Sequence, residues 1–178
     1  MTDMICVDKN YSTTRLLTCE QPIIENKPED KFESVLFLPE GEGRKGEGGL
    51  RTQDYFKQSY PDKPLISIIT VVFNNDEYIR DAIESVLSQD YSRIEHIVID
   101  GGSTDGTIDI IKEYGDKISV FLSEPDEGIF DALNKGIIRS HGEIIGILHS
   151  DDLFCDKYVI SDVINKMKDT ETELCFSD

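Results

Sequence analysis

No tryptophan, no surplus of basic residues and no long apolar run occur in this 178-residue chain, and each absence removes a class of function. Without a stretch of about 18 apolar residues there is no transmembrane helix. The start, Met1-Thr2-Asp3-Met4-Ile5, lacks the basic and apolar regions of a secretory signal. With 18 basic against 36 acidic residues the net charge is −18, which repels nucleic acid and anionic membrane surfaces. Four cysteines (Cys6, Cys19, Cys155, Cys175) form no C-x-x-C and no zinc-like spacing, so reduced, mostly structural thiols in a cytoplasmic protein are expected. The absence of a G-K-[ST] sequence excludes a P-loop enzyme.

The acid is uneven. Residues 1–62 hold 12 acidic and 8 basic side chains, and residues 63–178 hold 24 and 10. An anionic substrate facing the second part needs a cation between them, and a divalent metal serves that purpose. The same charge on an inert protein would be a solvated, solubilising surface.

Residues 1–62 show weak periodicity and are expected to form a partly flexible N-terminal extension. Its Gly- and charge-rich tract at 40–49 contains a formal G-x-G-x-x-G at Gly41, Gly43 and Gly46. Pro39 breaks the approach and no helix pattern follows, so the tract reads as a surface linker rather than a dinucleotide fingerprint. An ordered flap near a substrate is the alternative. From 63 to 178 strand and helix patterns alternate. Leu65–Val72, Ile94–Ile99, Ile118–Leu122 and Ile144–Leu148 read as strands, and Leu174–Phe176 begins another. Helices are expected from Ile79, capped by Asn74 or Asn75, from about Ser103–Asp105, over Gly128–Ser140 and over Asp156–Lys168. The fold class is therefore α/β: a Rossmann-like, mainly parallel sheet with helices on both faces. Ligands in such folds bind beyond the carboxyl ends of the strands.

Three strand-end segments carry candidate chemistry. His149-Ser150-Asp151-Asp152 sets two adjacent acids at the rim, suited to a hard cation such as Mg²⁺ or Mn²⁺; capping of the following helix is an equal alternative. His149 is a weaker third ligand. Asp100-Gly101-Gly102-Ser103 pairs an acid that can accept from a base or ribose with glycines that admit a ligand to the backbone. Asp105 reads as a residue that caps or charges the helix N-terminus. In Ser123–Gly136, Asp126 sits at the rim, while Asp131, Asn134 and Lys135 share a helix face. Lys135 either neutralises a phosphate or pairs with Asp131.

Taken together and in order, ISIITVVFNNDEYIRDAIESVLSQDY, IEHIVIDGGSTDGT, SEPDEGIFDALNKGI and GEIIGILHSDD resemble the donor-binding half of family-2 glycosyltransferases with the GT-A fold. Bacterial capsule, exopolysaccharide and O-antigen enzymes are nearest in character. The resemblance implies a UDP- or GDP-sugar donor, a saccharide or lipid-linked acceptor, and transfer with inversion assisted by Mn²⁺ or Mg²⁺. It implies donor contacts from Phe73, Asn74, Asp100, Gly101, Asp126, Lys135, Ser150 and Asp151, with Asp100 on the base. It gives the metal to Asp152, with Asp151 and His149. Departures are the single acid of Asp100-Gly101, where many relatives have two, and His149 in place of the first acid of the D-x-D-type motif. The catalytic base, usually an Asp, is expected beyond residue 178, so the chain reads as part of a longer polypeptide. Such a continuation would also provide any peripheral association with the inner face of the cytoplasmic membrane. A sugar-1-phosphate nucleotidyltransferase shares the architecture but would want a basic Gly-rich loop, and 70–75 has no Gly, Lys or Arg. A non-catalytic nucleotide-binding module is the remaining alternative. A phospho-receiver domain would need the acid pair after the first strand.

Overall fold

The structure is a computed structural model that describes residues 4–28, 33–170 and 172–175. Four parallel strands and one short antiparallel strand form a single sheet. In chain order these are β1 (Gly46–Gly48), β2 (Ile66–Val72), β3 (Ile94–Asp100), β4 (Val120–Ser123) and β5 (Ile144–Ile147), arranged spatially as β1-β4-β3-β2-β5. The helices are α1 (Ile79–Leu87), α2 (Thr107–Glu113), α3 (Ile129–Arg139) and α4 (Val159–Thr170).

The central strands β2 and β3 are buried along their whole length, as the continuous β-branched runs require of a sheet covered on both faces. On one face α1 places Ile79, Ile83 and Leu87 against Val98, Ile111, Ile118 and Phe121. α4 extends that cover toward β5 through Ile160 and Ile164, which pack with Ile66, Ile68 and Leu148. On the other face Ala132, Leu133 and Ile137 of α3 pack on Ile69, Val71, Ile97 and Ile99. Each fully buried aliphatic side chain contributes roughly 1.5–3 kcal/mol. Gly136 lets α3 approach closely, since a Cβ there would stand 2.5 Å from Ile69 Cγ2.

Sequence and structure differ most before residue 63. Within the tract expected to be a linker, Gly46–Gly48 joins the sheet, pairing antiparallel with Phe121–Ser123. Backbone pairing and the Glu47 carboxylate, which accepts from Arg44 and Arg139, hold this strand, which is why it carries no apolar signal. Gly49, at φ +117, makes the turn out of it, and a Cβ there would lie 2.7 Å from both Ser119 O and Val120 Cα. The chain then places Arg51 inside the domain. Its Nη2 donates to Glu95 Oε2 at 2.6 Å and its Nη1 to the Arg139 carbonyl at 2.8 Å. Lys57 is equally buried and donates to the carbonyls of Ser12, Arg15 and Ser92. Burial pushes its pKa well below the usual lysine value, reinforced by Arg15 and Arg93.

Some local expectations also change. Neither Asn74 nor Asn75 caps α1, which has no side-chain cap. Asn74 is left-handed (φ +49) and spends its side chain on Thr104. Leu174 and Cys175 are not in a strand, and Phe176 lies outside the described residues. All four cysteines are exposed, so none packs in the core. Among the described residues no helix is long and apolar enough to cross a membrane.

Candidate functional site

Parallel register brings the carboxyl ends of the strands to one rim. Val72 pairs with Asp100, Asp100 with Ser123, and Ser123 with Gly46 of the antiparallel strand, a single row across four strands. A cleft of about 480 Å³ opens above it, lined by Val71, Val72, Phe73, Gly101, Asp126, Gly128, Ile129, Ala132, His149, Ser150 and Asp151. Six residues singled out in the sequence meet there: Phe73, Gly101, Asp126, His149, Ser150 and Asp151. Phe73 and Ile129 are 63% and 50% exposed, which for large apolar side chains on a cleft wall provides a surface for a flat ring. Among the described residues no Lys or Arg lines the cleft, whereas two carboxylates do.

The rim is stitched together by side chains. Asn75 Nδ2 donates to Ser150 Oγ at 2.9 Å, tying the β2 loop to the β5 loop. Asn74 accepts from the Thr104 amide at 2.8 Å, and its own amide donates to Ser103 Oγ at 2.7 Å. Asp105 sits just before Gly106, the N-cap of α2, and accepts the Thr107 amide at 2.9 Å, so it sets a negative charge at the helix N-terminus rather than capping it. Burial alone would raise its pKa, but the hydrogen bonds its carboxylate accepts from Thr107 and from the Asp76 amide together lower it.

Four expected ligands are not among the residues that line the cleft: Asp100, Lys135, Asn74 and Asp152. Asp100 is fully buried beneath the cleft floor, where its carboxylate accepts from the Ser103 amide, the Ser103 hydroxyl and the Ser123 hydroxyl. A base contact by Asp100 would require those hydroxyls to give way; as it stands, Asp100 shapes the loop. Lys135 lies off the cleft wall, with Nζ 3.2 Å from both Glu124 Oε1 and Asp131 Oδ2. Partial burial alone would lower its pKa, but these two carboxylates raise it on balance, so its charge is spent within the protein. Asn74 braces the rim rather than lining the cleft.

Asp126 partly supplies the second acid absent at position 101. Its Oδ1 accepts the Gly128 amide at 2.8 Å. Its Oδ2 would lie 2.5 Å from any Cβ at residue 101, so Gly101 is what admits this carboxylate. Gly128, Ile129 and Ala132 were not marked in the sequence, although the glycine before an apolar helix was the available signal.

Asp151 and Asp152 are exposed, and neither carboxylate takes part in a hydrogen bond or ion pair among the described residues. The following helix starts only at Val159, and the Tyr158 amide just before it is served by Asp156. Helix capping is therefore not their role. Among the described residues no three His, Cys, Asp or Glu side chains are grouped to hold a metal, so His149 does not complete a ready-made centre.

A doubly covered parallel sheet with an acid-rimmed cleft at its carboxyl edge defines an α/β protein of GT-A type. The chain belongs to glycosyl transferase family 2, whose model matches residues 67–177. An uncharacterized glycosyltransferase of Mycobacterium tuberculosis is 37% identical over 105 residues, covering 58% of this chain and 40% of that protein. TuaG of Bacillus subtilis, named for a glycosyltransferase role in teichuronic acid biosynthesis, is 41% identical over 93 residues, covering 51% of this chain and 37% of TuaG. The chain thus spans well under half the length of these relatives. TarS residues 1–349 from S. aureus, solved in complex with UDP-GlcNAc, superposes with a TM-score of 0.54 at 25% identity, over 60% of this chain and 32% of that one. A mannosyltransferase from Pyrobaculum calidifontis, solved with GDP-Man and Mn²⁺, shares the fold at a TM-score of 0.56 and 24% identity, over 59% and 32%.

Proposed function

We propose that the cleft binds a nucleoside-diphosphate sugar and that Asp151 and Asp152 hold a divalent cation, Mn²⁺ or Mg²⁺, beside its diphosphate. The observation that carries this is an exposed acid pair, unpaired among the described residues, of which Asp151 lines a cleft without a described basic lining residue and Asp152 follows it in the chain. The donor set fits such a cation: carboxylate oxygens are hard ligands, and with two of them the remaining positions fall to diphosphate and water. Where bound, the cation supplies charge neutralisation for the departing diphosphate. The chain's own residues do the rest. Phe73 and Ile129 flank the base, Gly101 admits the ligand to the backbone, and Asp126 accepts from a ribose or sugar hydroxyl. Ser150, fixed by Asn75, orients the acid pair. UDP-GlcNAc in the TarS complex supports the substrate class.

The reaction we assign is transfer of the sugar, with inversion, to a saccharide or lipid-linked acceptor in surface polysaccharide biosynthesis. The relationship to TuaG supports that setting. The acceptor hydroxyl attacks the anomeric carbon from the face opposite the diphosphate. We assign no described residue as its base.

Calorimetric titration of UDP-GlcNAc and GDP-mannose, with Mn²⁺ and with EDTA, tests the reading. Binding that needs metal and is lost in Asp152→Asn is expected. Equal binding in EDTA, or none to folded protein, would refute it.

A further inference from the structure

The segment Gly41–Gly49 lies outside the family-matched region and does not line the cleft, yet its first half reaches the carboxyl edge of the sheet beside the loops that carry Gly101 and Glu124. Because β1 is antiparallel to its neighbour, it begins where β2, β3 and β4 end, and this delivers Arg44 and Lys45 to the carboxyl edge. The Lys45 amide donates to the Ser123 carbonyl at 2.7 Å. Its ammonium donates to two consecutive carbonyls of the β3 loop, Gly102 O at 2.7 Å and Ser103 O at 2.9 Å. Arg44 holds the next loop: Nε donates to Glu124 Oε2 at 2.9 Å, while its two Nη groups are tied to Glu47 and the Pro39 carbonyl.

We infer that Lys45 is a positioning residue for the donor site and that Gly41–Gly49 is a strap fixing the Gly101–Ser103 loop against the cleft. Resting on the donor reading above, it adds a determinant of affinity from outside the family's matched segment. The loop needs a third anchor. Gly102 sits at φ +84, a region open to glycine, so the local chain has little stiffness of its own. Asp100 holds Ser103 from beneath and Asn74 holds it from the β2 side. Both act on the Ser103 end, through its amide and hydroxyl. Lys45 restrains the carbonyls of residues 102 and 103, next to Gly101 on the cleft wall. With carbonyl acceptors and an ammonium donor, each bond is charge-assisted. The strap also joins the two walls, because Glu124, gripped by Arg44, is paired on its other oxygen with Lys135 of α3.

Hydrogen exchange of residues 100–107 and the Kd for UDP with Mn²⁺ are measured on wild type, Lys45→Met, Lys45→Arg and, as a charge-matched surface control, Lys166→Met. Lys45→Met is expected to speed exchange in that loop and raise the Kd about tenfold, the effect of losing a charge-assisted anchor. Lys45→Arg, which keeps the donors, is expected to recover most of both, and Lys166→Met to change neither. Unchanged loop exchange in folded Lys45→Met overturns the proposal, as does faster exchange with wild-type affinity. If wild type itself refuses UDP and GDP, the donor reading fails alone, and the exchange rates still decide whether the strap orders the loop.

Discussion

Replacing Arg51 with methionine should unfold more than a surface extension, because Arg51 reaches from the N-terminal segment into the interior of the domain. Its side chain is 1% exposed, and so is that of its partner Glu95. Burial alone would push the Glu95 carboxyl up. The Arg51 guanidinium, with His141 and Ser67, instead holds it well below the usual carboxylate range. Methionine fills similar space but leaves a buried carboxylate facing only Ser67 and His141. Breaking a buried pair in this way costs about 3–5 kcal/mol, a large share of the ~5–15 kcal/mol of a typical domain. At roughly 2–4 °C per kcal/mol for a chain of this size, Tm should fall by about 6–20 °C. The pH dependence has a definite sign. In wild type the depressed Glu95 contributes stability that is present above the unfolded carboxyl value and lost as pH falls. In Arg51→Met that carboxyl is no longer depressed and takes up a proton readily, so the gap between the proteins should be widest near neutrality and narrow below about pH 5. Adding Glu95→Gln to Arg51→Met removes the orphaned charge and should recover part of the loss. Urea unfolding at pH 7 and pH 4 measures all of this. A loss under about 1 kcal/mol, or a gap that ignores both pH and the second substitution, would refute the view that residues before 63 are built into the domain.

Other outcomes follow from single contacts. His96 is fully buried, and burial lowers its pKa to about 3, so the folded state binds fewer protons than the unfolded state between about 3 and 6.5. Stability should therefore fall on acidification, by about 2 kcal/mol from pH 7 to pH 5, and His96→Gln should abolish that slope in denaturant titrations. Gly49→Ala sets a Cβ against the Ser119 and Val120 backbone at φ +117 and should cost on the order of 2–3 kcal/mol by thermal melting; a neutral effect would contradict the β1 pairing. Gly101→Ala must displace the Asp126 carboxylate and should weaken UDP binding in calorimetry while changing Tm little; wild-type affinity would remove Asp126 from the site.

The four parallel strands were legible because β-branched runs such as ISIITVV have one physical reading when both sheet faces are covered. Their carboxyl ends were also where the sequence placed ligands, and six of the named residues line the cleft. β1 was illegible because Gly-Glu-Gly has no apolar side chain to signal a strand: it pairs through its backbone, Glu47 bonds to Arg44 and Arg139, and its glycines permit close approach to Phe121. The buried Arg51, Lys57, Glu95 and Arg139 carry no local sequence signal, since burial of a charge depends on partners distant in sequence. The same is true of Asp100, whose three hydroxyl and amide donors come from Ser103 and Ser123. For Asp151 and Asp152, cap and metal ligand stood level in the sequence. The start of α4 at Val159 removed the cap.

Paramagnetic broadening by Mn²⁺ in amide NMR spectra, with UDP present and Mg²⁺ as the diamagnetic reference, tests most directly whether the acid pair is where metal and donor meet. Signals of Ser150–Leu153, Phe73 and Gly101 should disappear first and should remain in Asp152→Asn. Broadening centred on another acidic cluster, such as Glu124–Asp131, or left unchanged by that substitution, would contradict the account.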